Sequence, residues 1–73
     1  MSLGENIKAR REQLGMTATQ LAGEAHVTIG AISQFEKSIS VPNAYTFSAI
    51  ADALGVTMDE LMNGKRTDTR ARA

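Results

Sequence analysis

The chain has 73 residues, of which 42% are hydrophobic and 22% are charged, and it contains no cysteine. So short a chain has material for one core only, which predicts a single small soluble domain and excludes a two-domain enzyme. Without cysteine, that core cannot be stabilised by disulfides or thiolate metal sites. No apolar run approaches the roughly 20 residues that span a bilayer, and the N-terminus lacks a signal-peptide pattern, so we expect a cytoplasmic protein with no membrane partner.

The eight basic and eight acidic side chains cancel, but they are unevenly distributed along the chain. Residues 1–15 and 64–73 are each net basic, whereas residues 16–63 carry Lys37 as their single basic side chain against five acidic ones. A neutral total counts against nucleic-acid binding, which normally uses a basic surface. The two basic ends keep that function open.

Helical signals divide the chain into five short segments, and strand signals are nearly absent. Ser2 and Glu5 have the spacing of a capping box, in which each side chain bonds the backbone amide of the other, and Gly15 supplies a left-handed stop. The first helix is therefore expected over residues 3–14. Its expected buried face comprises Leu3, Ile7 and Leu14.

The second and third segments form the most informative part of the sequence. Thr17 and Gln20 repeat the capping-box spacing before a helix over residues 18–25, and Thr28 is the expected cap of a helix over residues 29–37. About three residues join these two helices, as in a helix-turn-helix. The apolar positions expected to hold the helices across each other are Leu21, Ala22, Val27, Ile32 and Phe35.

Two further helices and a tail complete the chain. Asn43 is the expected cap of a helix over residues 44–54, and a third capping box, at Thr57, precedes a helix over residues 58–62. Residues 65–73 are basic and lack an apolar anchor, so we expect them to form a disordered tail or a linker.

From about Leu3 to Gly64 the sequence resembles the lambdoid phage repressor and Cro type of helix-turn-helix domain, the XRE family. The matching segments are Ile7-Lys8-Ala9-Arg10-Arg11, Gln20-Leu21-Ala22, Ala31-Ile32-Ser33-Gln34-Phe35-Glu36, Pro42-Asn43 and residues 51–62. The resemblance implies an all-α fold, a compact five-helix lambda-repressor-like DNA-binding domain over residues 1–64, with helices 2 and 3 as the helix-turn-helix. It also implies a Cro-like phage or bacterial transcription regulator. We expect a repressor that binds double-stranded DNA at a palindromic operator as a homodimer, with helix 3 in the major groove.

Two positions depart from the pattern of that family. Ala18 stands where the family often has a glutamine that contacts DNA, so that contact is lost here. His26 stands in the turn where the family usually has glycine, because the turn requires a positive φ. As the single histidine of the chain, His26 has no second metal ligand or partner base, and we expect it merely to occupy the turn.

The resemblance assigns base reading to the outward positions of helix 3, namely Ile29, Gly30, Ser33 and Gln34. Ile29 would contact a thymine methyl and Gln34 an adenine, while the missing side chain of Gly30 would allow close approach. The alternative for all four is an ordinary surface residue. Phosphates are expected to be held by helix amides and by polar or basic side chains, namely Thr17, Ala18, Thr19, Thr28, Lys37, Asn43, Lys8 and Arg10.

Two further expectations concern the scaffold. Arg11 and Glu36 match positions that form a partly buried ion pair in the family, the alternative being two solvated charges. Dimer contacts in the family come largely from helix 5 onward, so Leu61 or Met62 is the expected two-fold contact.

A different class of function is a protein-interaction subunit, such as the antitoxin of a toxin–antitoxin pair that also binds its own operator. Its mark would be an exposed apolar patch, for which Ile39, Val41 and Tyr45 are the candidates. A removed effector domain, linked through the tail, is the other protein partner to consider. One histidine and scattered carboxylates offer no converging catalytic or metal-binding set, so we expect no enzyme, no metal and no cofactor.

Overall fold

In the computed structural model, residues 2–64 are described and fold into five α-helices with no strand among them. The helices are α1 (Leu3–Gln13), α2 (Ala18–Ala25), α3 (Ile29–Glu36), α4 (Ala44–Ala53) and α5 (Met58–Asn63). The expected all-α, five-helix lambda-repressor-like fold is confirmed, and each helix end lies within one residue of its expected position. The expected basic tail, residues 65–73, lies outside the described residues. None of the five described helices combines the length and apolar character that a membrane crossing needs.

Local capping fixes where each helix begins. The first amides of a helix have no carbonyl partner within it, and a side chain just before the helix can accept from one of them. The capping boxes expected at Ser2, Thr17 and Thr57 all form, each closed by the side chain three residues later. Thr28 and Asn43 cap α3 and α4 through their side-chain oxygens. All five helix starts therefore follow from residues beside them in the sequence.

The turn between α2 and α3 takes the left-handed conformation expected at His26. Its φ of 60° and ψ of 42° lie in a region that costs a residue with a side chain roughly 1–2 kcal/mol and that glycine occupies freely. The next amide, that of Val27, donates to the carbonyl of Ala22 at 3.0 Å. The chain thus reverses within a few residues and starts α3 across α2.

The core lies where α1 and α2 meet the other three helices. α1 packs against α3 and α5, and α2 packs against α3 and α4. The largest fully buried side chains are Ile7, Leu21, Ile32, Ile50 and Leu54. Burial of one such aliphatic side chain contributes about 1.5–3 kcal/mol before chain entropy is counted. Because Ile32 faces inward, the core also determines which side of α3 stays outside.

One expected burial is wrong, and one of the two candidate dimer contacts is excluded. Leu14 is 45% exposed instead of buried, because α1 ends one residue earlier and its last turn runs past the core edge, where Arg11 pairs with Glu36. Leu61 is buried in the domain's own core, so it is not available for a two-fold contact. Of the two residues expected there, Met62 alone remains exposed.

Asn6 is a buried polar side chain that sequence reasoning missed, since asparagine is usually exposed. Its Nδ2 donates to the carbonyl oxygens of Leu61 at 3.0 Å and of Met62 at 3.2 Å. The last carbonyls of a helix lack partners within it. Asn6 therefore caps the end of α5 and ties it to α1.

Candidate nucleic-acid interface

α3 turns one side to the core and the opposite side to solvent. Ile32 is fully buried, which fixes the rotation of the helix about its own axis. On the far side Ile29 is 51% exposed, Gly30 and Gln34 are exposed, and Ser33 is half-buried at the edge. The four residues expected to read bases therefore lie together and form the outer face of α3.

Gly30 keeps this outer face slim. A Cβ built on Gly30 would meet just the hydroxyl oxygen of Thr28, in ordinary contact at 3.9 Å, so packing does not require glycine here. Glycine in a helix interior costs about 1 kcal/mol relative to alanine. Gln34 lies one turn later on the same side of the helix. Gly30 therefore does not stabilise the domain. Its missing side chain would instead allow a ligand to approach the helix backbone closely.

The caps of α3 and α4 retain donors that the helices do not use. Thr28 Oγ1 accepts from the Ala31 amide at 3.0 Å, and Asn43 Oδ1 accepts from the Thr46 amide at 2.8 Å. A hydroxyl can donate while it accepts, and a carboxamide carries a separate NH2 group. Both residues are exposed, so the Thr28 hydroxyl and the Asn43 Nδ2 can still donate to a phosphate oxygen.

At the start of α2 the capping box uses one of the three amides expected to bind a phosphate. The Thr17 amide donates to Gln20 Oε1 at 2.8 Å, and the Gln20 amide donates to Thr17 Oγ1 at 3.1 Å. Thr17 can therefore offer a phosphate only its hydroxyl proton. The amides of Ala18 and Thr19 belong to the first turn, where a helix supplies no acceptor, and they keep the geometry of an anion site.

Two exposed lysines stand beside the C-terminal end of α3. Lys37 is the C-cap residue of α3 itself. Lys8 lies on α1, four residues after Gly4 and three before Arg11, and helix periodicity places all three on one side. That side packs on α3, since a Cβ added to Gly4 would overlap the carbonyl oxygen of Phe35.

Arg10 lies on a different side of the domain from these lysines. Its Nε donates to the Leu54 carbonyl at 3.1 Å, and its Nη1 donates to Gln13 Oε1 at 3.1 Å. Arg10 also lines a cavity of about 190 Å³ between α1 and α5. Neighbouring helix positions diverge by about 100°, so Arg10 faces α4 and α5 while Arg11 faces α3. The structure thus separates Arg10 from the other residues expected to contact phosphates.

Arg11 and Glu36 form a bidentate ion pair between α1 and α3. Nε of Arg11 lies 2.7 Å from Oε2 of Glu36, and Nη2 lies 3.1 Å from Oε1. The two side chains are 13% and 9% exposed. Nη1 donates to the Met16 carbonyl at 2.9 Å, just before α2. The hydrogen bond to Glu36 raises the pKa of Arg11 above its ordinary value, more than burial lowers it.

Three exposed apolar side chains form a patch on the loop between α3 and α4 and in the first turn of α4. Ile39 is 69% exposed, Val41 78% and Tyr45 84%. Ile39 follows Lys37 by two residues, and Asn43 lies between the other two members of the patch. In the sequence, the members of the patch therefore alternate with side chains expected to hold phosphates.

Two known proteins have sequences similar to this chain. Repressor protein C2 of Salmonella phage P22 is 36% identical over 67 residues, which are 92% of this chain and 31% of that protein. The HTH-type transcriptional activator BcrR of Enterococcus faecalis is 32% identical over 71 residues, which are 97% of this chain and 35% of that protein. The chain thus spans about a third of the length of these relatives.

Solved structures share the fold. The P22 c2 repressor in complex with synthetic operator 9T is 35% identical and superposes with a TM-score of 0.83, over 89% of this chain and 98% of that chain. ComR from S. thermophilus, in complex with DNA and its signalling peptide ComS, is 35% identical with a TM-score of 0.79, over 85% of this chain and 21% of that chain.

The family model that matches is described as Helix-turn-helix, and its match covers residues 7–61. This segment runs from the buried Ile7 in α1 to the buried Leu61 in α5, so it contains the core and the whole of α2, α3 and α4. The chain therefore belongs to this helix-turn-helix family, the XRE family, as its resemblance to phage repressors predicts.

Proposed function

We propose that this domain binds double-stranded DNA in a sequence-specific manner and acts as a transcriptional repressor, with α3 in the major groove. The observation that carries the proposal is the outer face of α3, where Ile29, Gly30 and Gln34 are exposed while Ile32 anchors the opposite side in the core. A helix with its side chains is about 10–12 Å wide, and the major groove of B-DNA is about 12 Å wide. The outer face can therefore reach base edges without rearrangement of the domain.

Relatives of the chain support a repressor. The P22 c2 repressor is bound to a synthetic operator in its solved structure. Besides C2, the immunity repressor protein of Bacillus phage phi105 is 31% identical over 62 residues. Bound at an operator, the domain would exclude polymerase by steric competition.

Phosphate contacts would orient α3 in the groove. The free first-turn amides of α2 and the hydroxyl of Thr28 flank the start of the helix-turn-helix, while Asn43 Nδ2 and the lysines Lys8 and Lys37 lie around its far end. Such contacts fix the register of a protein on the duplex but carry no sequence information directly. Specificity is thus left to the outer face of α3.

We further propose that two copies bind a palindromic operator. One eight-residue helix with four outward positions reads only a few base pairs. Two copies related by a two-fold axis would read two half-sites about one helical turn, roughly 34–36 Å, apart. Met62, exposed at the end of α5, is the candidate for a contact between the copies.

Selection of bound sequences from a random duplex pool at low salt tests these proposals. The wild-type chain is expected to enrich a motif with two symmetric half-sites and to bind as two subunits per duplex. Gln34→Ala should relax the preference at one position of each half-site, whereas Lys37→Ala should weaken binding to all sequences alike. A pool without any enriched motif would rule out sequence-specific binding.

The apolar patch favours a second candidate function, an antitoxin-type subunit that binds a protein partner as well as its own operator. Ile39, Val41 and Tyr45 are highly exposed, and several exposed large apolar side chains in one short stretch favour an interaction site. A partner encoded beside this chain, co-expressed with it, should then co-purify in stoichiometric amount. Tyr45→Ser should release that partner while operator binding is kept. A wild-type chain that binds DNA but retains no such partner excludes the antitoxin role.

A further inference from the structure

A left-handed residue follows each of the five described helices, and glycine occupies that position after three of them. Gly15, Gly55 and Gly64 follow α1, α4 and α5. The two left-handed residues that carry a side chain are His26, at a φ of 60°, and Ser38, at a φ of 62°. They lie at the two ends of α3. In the described part of the chain, left-handed strain is therefore confined to the ends of the helix whose outer face is exposed.

Ser38 and His26 differ in what their side chains do inside the domain. Ser38 Oγ donates to Ser2 Oγ at 3.2 Å, which joins the loop after α3 to the cap of α1. The imidazole of His26 is exposed and makes no hydrogen bond or ion pair with any of residues 2–64. Within the described part of the domain, no side-chain bond therefore offsets the strain at His26.

At the corner between α2 and α3, the chain turns Val27 to the core and leaves its two neighbours outside. Val27 is half-buried and packs against the core, whereas His26 and Thr28 are exposed. Two residues span at most about 7 Å, so His26 lies close to the cap of α3. The Thr28 hydroxyl can still donate to a phosphate oxygen, and Ile29 begins the outer face of α3 directly after it. His26 is therefore placed at the edge of the surface that would enter the groove.

An imidazole suits a phosphate at this edge. It carries at least one N–H donor, whichever ring nitrogen holds the proton. A hydrogen bond to an anionic oxygen is stronger than one between neutral groups. Half or more of the hydrogen bonds between proteins and DNA go to phosphates and sugars, and they set the position of the protein on the duplex. Strain without a benefit inside the fold is typical of functional positions of this kind.

We propose that His26 is a DNA-binding residue, whose imidazole donates a hydrogen bond to a phosphate beside the one held by Thr28. The inference rests on the proposed function and deepens it by adding a phosphate contact at the start of α3. It replaces the expectation that His26 merely occupies the turn. Glycine at this position would give a domain that is no less stable but binds its operator less tightly.

The test compares His26→Gly with Ser38→Gly, its matched control at the other end of α3. Both changes remove left-handed strain, so the melting temperature of each should stay level or rise by up to about 8 °C. Fluorescence anisotropy with the operator duplex selected by the wild type should separate them. His26→Gly should bind about tenfold more weakly, the scale of one hydrogen bond to a charged group. Ser38→Gly should bind within about twofold of the wild type.

Replacement of single operator phosphates by uncharged methylphosphonates identifies the contact. At one phosphate of each half-site, the replacement should weaken His26→Gly at least about threefold less than it weakens the wild type, because the partner is already gone. The penalties at the other phosphates should be the same for both chains. Since phosphate contacts carry no sequence information directly, His26→Gly should enrich the same motif as the wild type from a random duplex pool.

The outcomes distinguish this inference from the proposed function. A wild-type chain that enriches no motif overturns the proposed function, and the role of His26 with it. A clear wild-type motif that His26→Gly binds as tightly as the wild type, or with the same penalty at every phosphate, overturns the role of His26 alone. A motif altered by His26→Gly also overturns it. Weaker binding by a variant that melts no lower, with a reduced penalty at one phosphate of each half-site, supports it.

Discussion

The guanidinium group of Arg11 joins three segments of the chain, because it contacts Glu36 at the end of α3 and the Met16 carbonyl before α2. Both charged side chains are largely withdrawn from water. Arg11→Met would leave the Glu36 carboxylate without a partner, and we expect a loss of about 3 kcal/mol in the free energy of unfolding. Urea denaturation of the wild type and the variant measures the loss.

The double variant Arg11→Met with Glu36→Leu serves as the control for this pair. It leaves neither charge uncompensated, so it should be more stable than Arg11→Met alone. Because the pKa of Arg11 is raised on folding, the stabilisation is complete below the ordinary pKa of arginine and is lost only as the pH rises through the higher folded value. The difference between wild type and Arg11→Met should therefore persist from pH 7 to pH 10. A single variant as stable as the wild type would show that the pair is merely two surface charges.

Residues with local partners could be identified from spacing alone, whereas a distant pair, Arg11 with Glu36, could be expected only from the family resemblance. The caps Thr17 and Thr28 bond amides three residues away, so spacing alone reveals them. Asn6 bonds carbonyls more than fifty residues away, and no local pattern marks it.

At the scale of the element, two glycines within short helices allow stability to be separated from recognition. Gly30 in α3 and Gly23 in α2 both have room for a methyl group, and neither has a positive φ. Alanine at either position should raise the free energy of unfolding by about 1 kcal/mol through helix propensity. Gly30→Ala, however, adds a side chain to the outer face of α3. We expect it to weaken operator binding roughly tenfold or more, because one methyl group in a close contact holds the helix away from the groove.

Gly23→Ala is the matched control, with the same chemical change on a neighbouring helix. Thermal melting should show similar stabilisation in both variants, while fluorescence anisotropy with a labelled operator duplex should separate them. Equal operator affinities for Gly30→Ala and the wild type would mean that Gly30 is an ordinary surface position. The close-approach role would then be withdrawn.

The bounds of the helices could be predicted because local chemistry sets them. The direction in which individual side chains point could be predicted less well. The bounds of α2 follow from the capping box at Thr17 and the left-handed His26. Arg10 and Arg11 are adjacent in sequence and chemically identical, and yet one faces Leu54 and the other Glu36. Only the packing of α1 between α3 and α5 separates them, and that packing is a property of the assembled core.

At the scale of the whole molecule, the charge distribution gives the recognition surface few cations. Lys37 is the single basic side chain between residues 16 and 63, where five acidic side chains lie. Such a surface attracts DNA weakly from a distance, so short-range contacts must hold the complex. The charge pattern alone left DNA binding undecided, because amide and hydroxyl donors at helix caps do not contribute to net charge.

The dependence of operator affinity on salt tests which cations touch the phosphates. Each neutralised phosphate contributes about −0.9 to the slope of log affinity against log salt, because it releases condensed counterions. Lys37→Ala should therefore make the slope less negative by about one per subunit, or about two for a dimer, in anisotropy titrations between roughly 50 and 200 mM salt.

Arg10→Gln is the matched control, because Arg10 is bonded to the Leu54 carbonyl on the side of α4 and α5. Its slope should equal that of the wild type. Both variants keep the basic residues 65–73, so the comparison isolates one cation in each case. A slope that changes with Arg10 and not with Lys37 would place the duplex against the α1–α5 side and contradict the orientation proposed for α3.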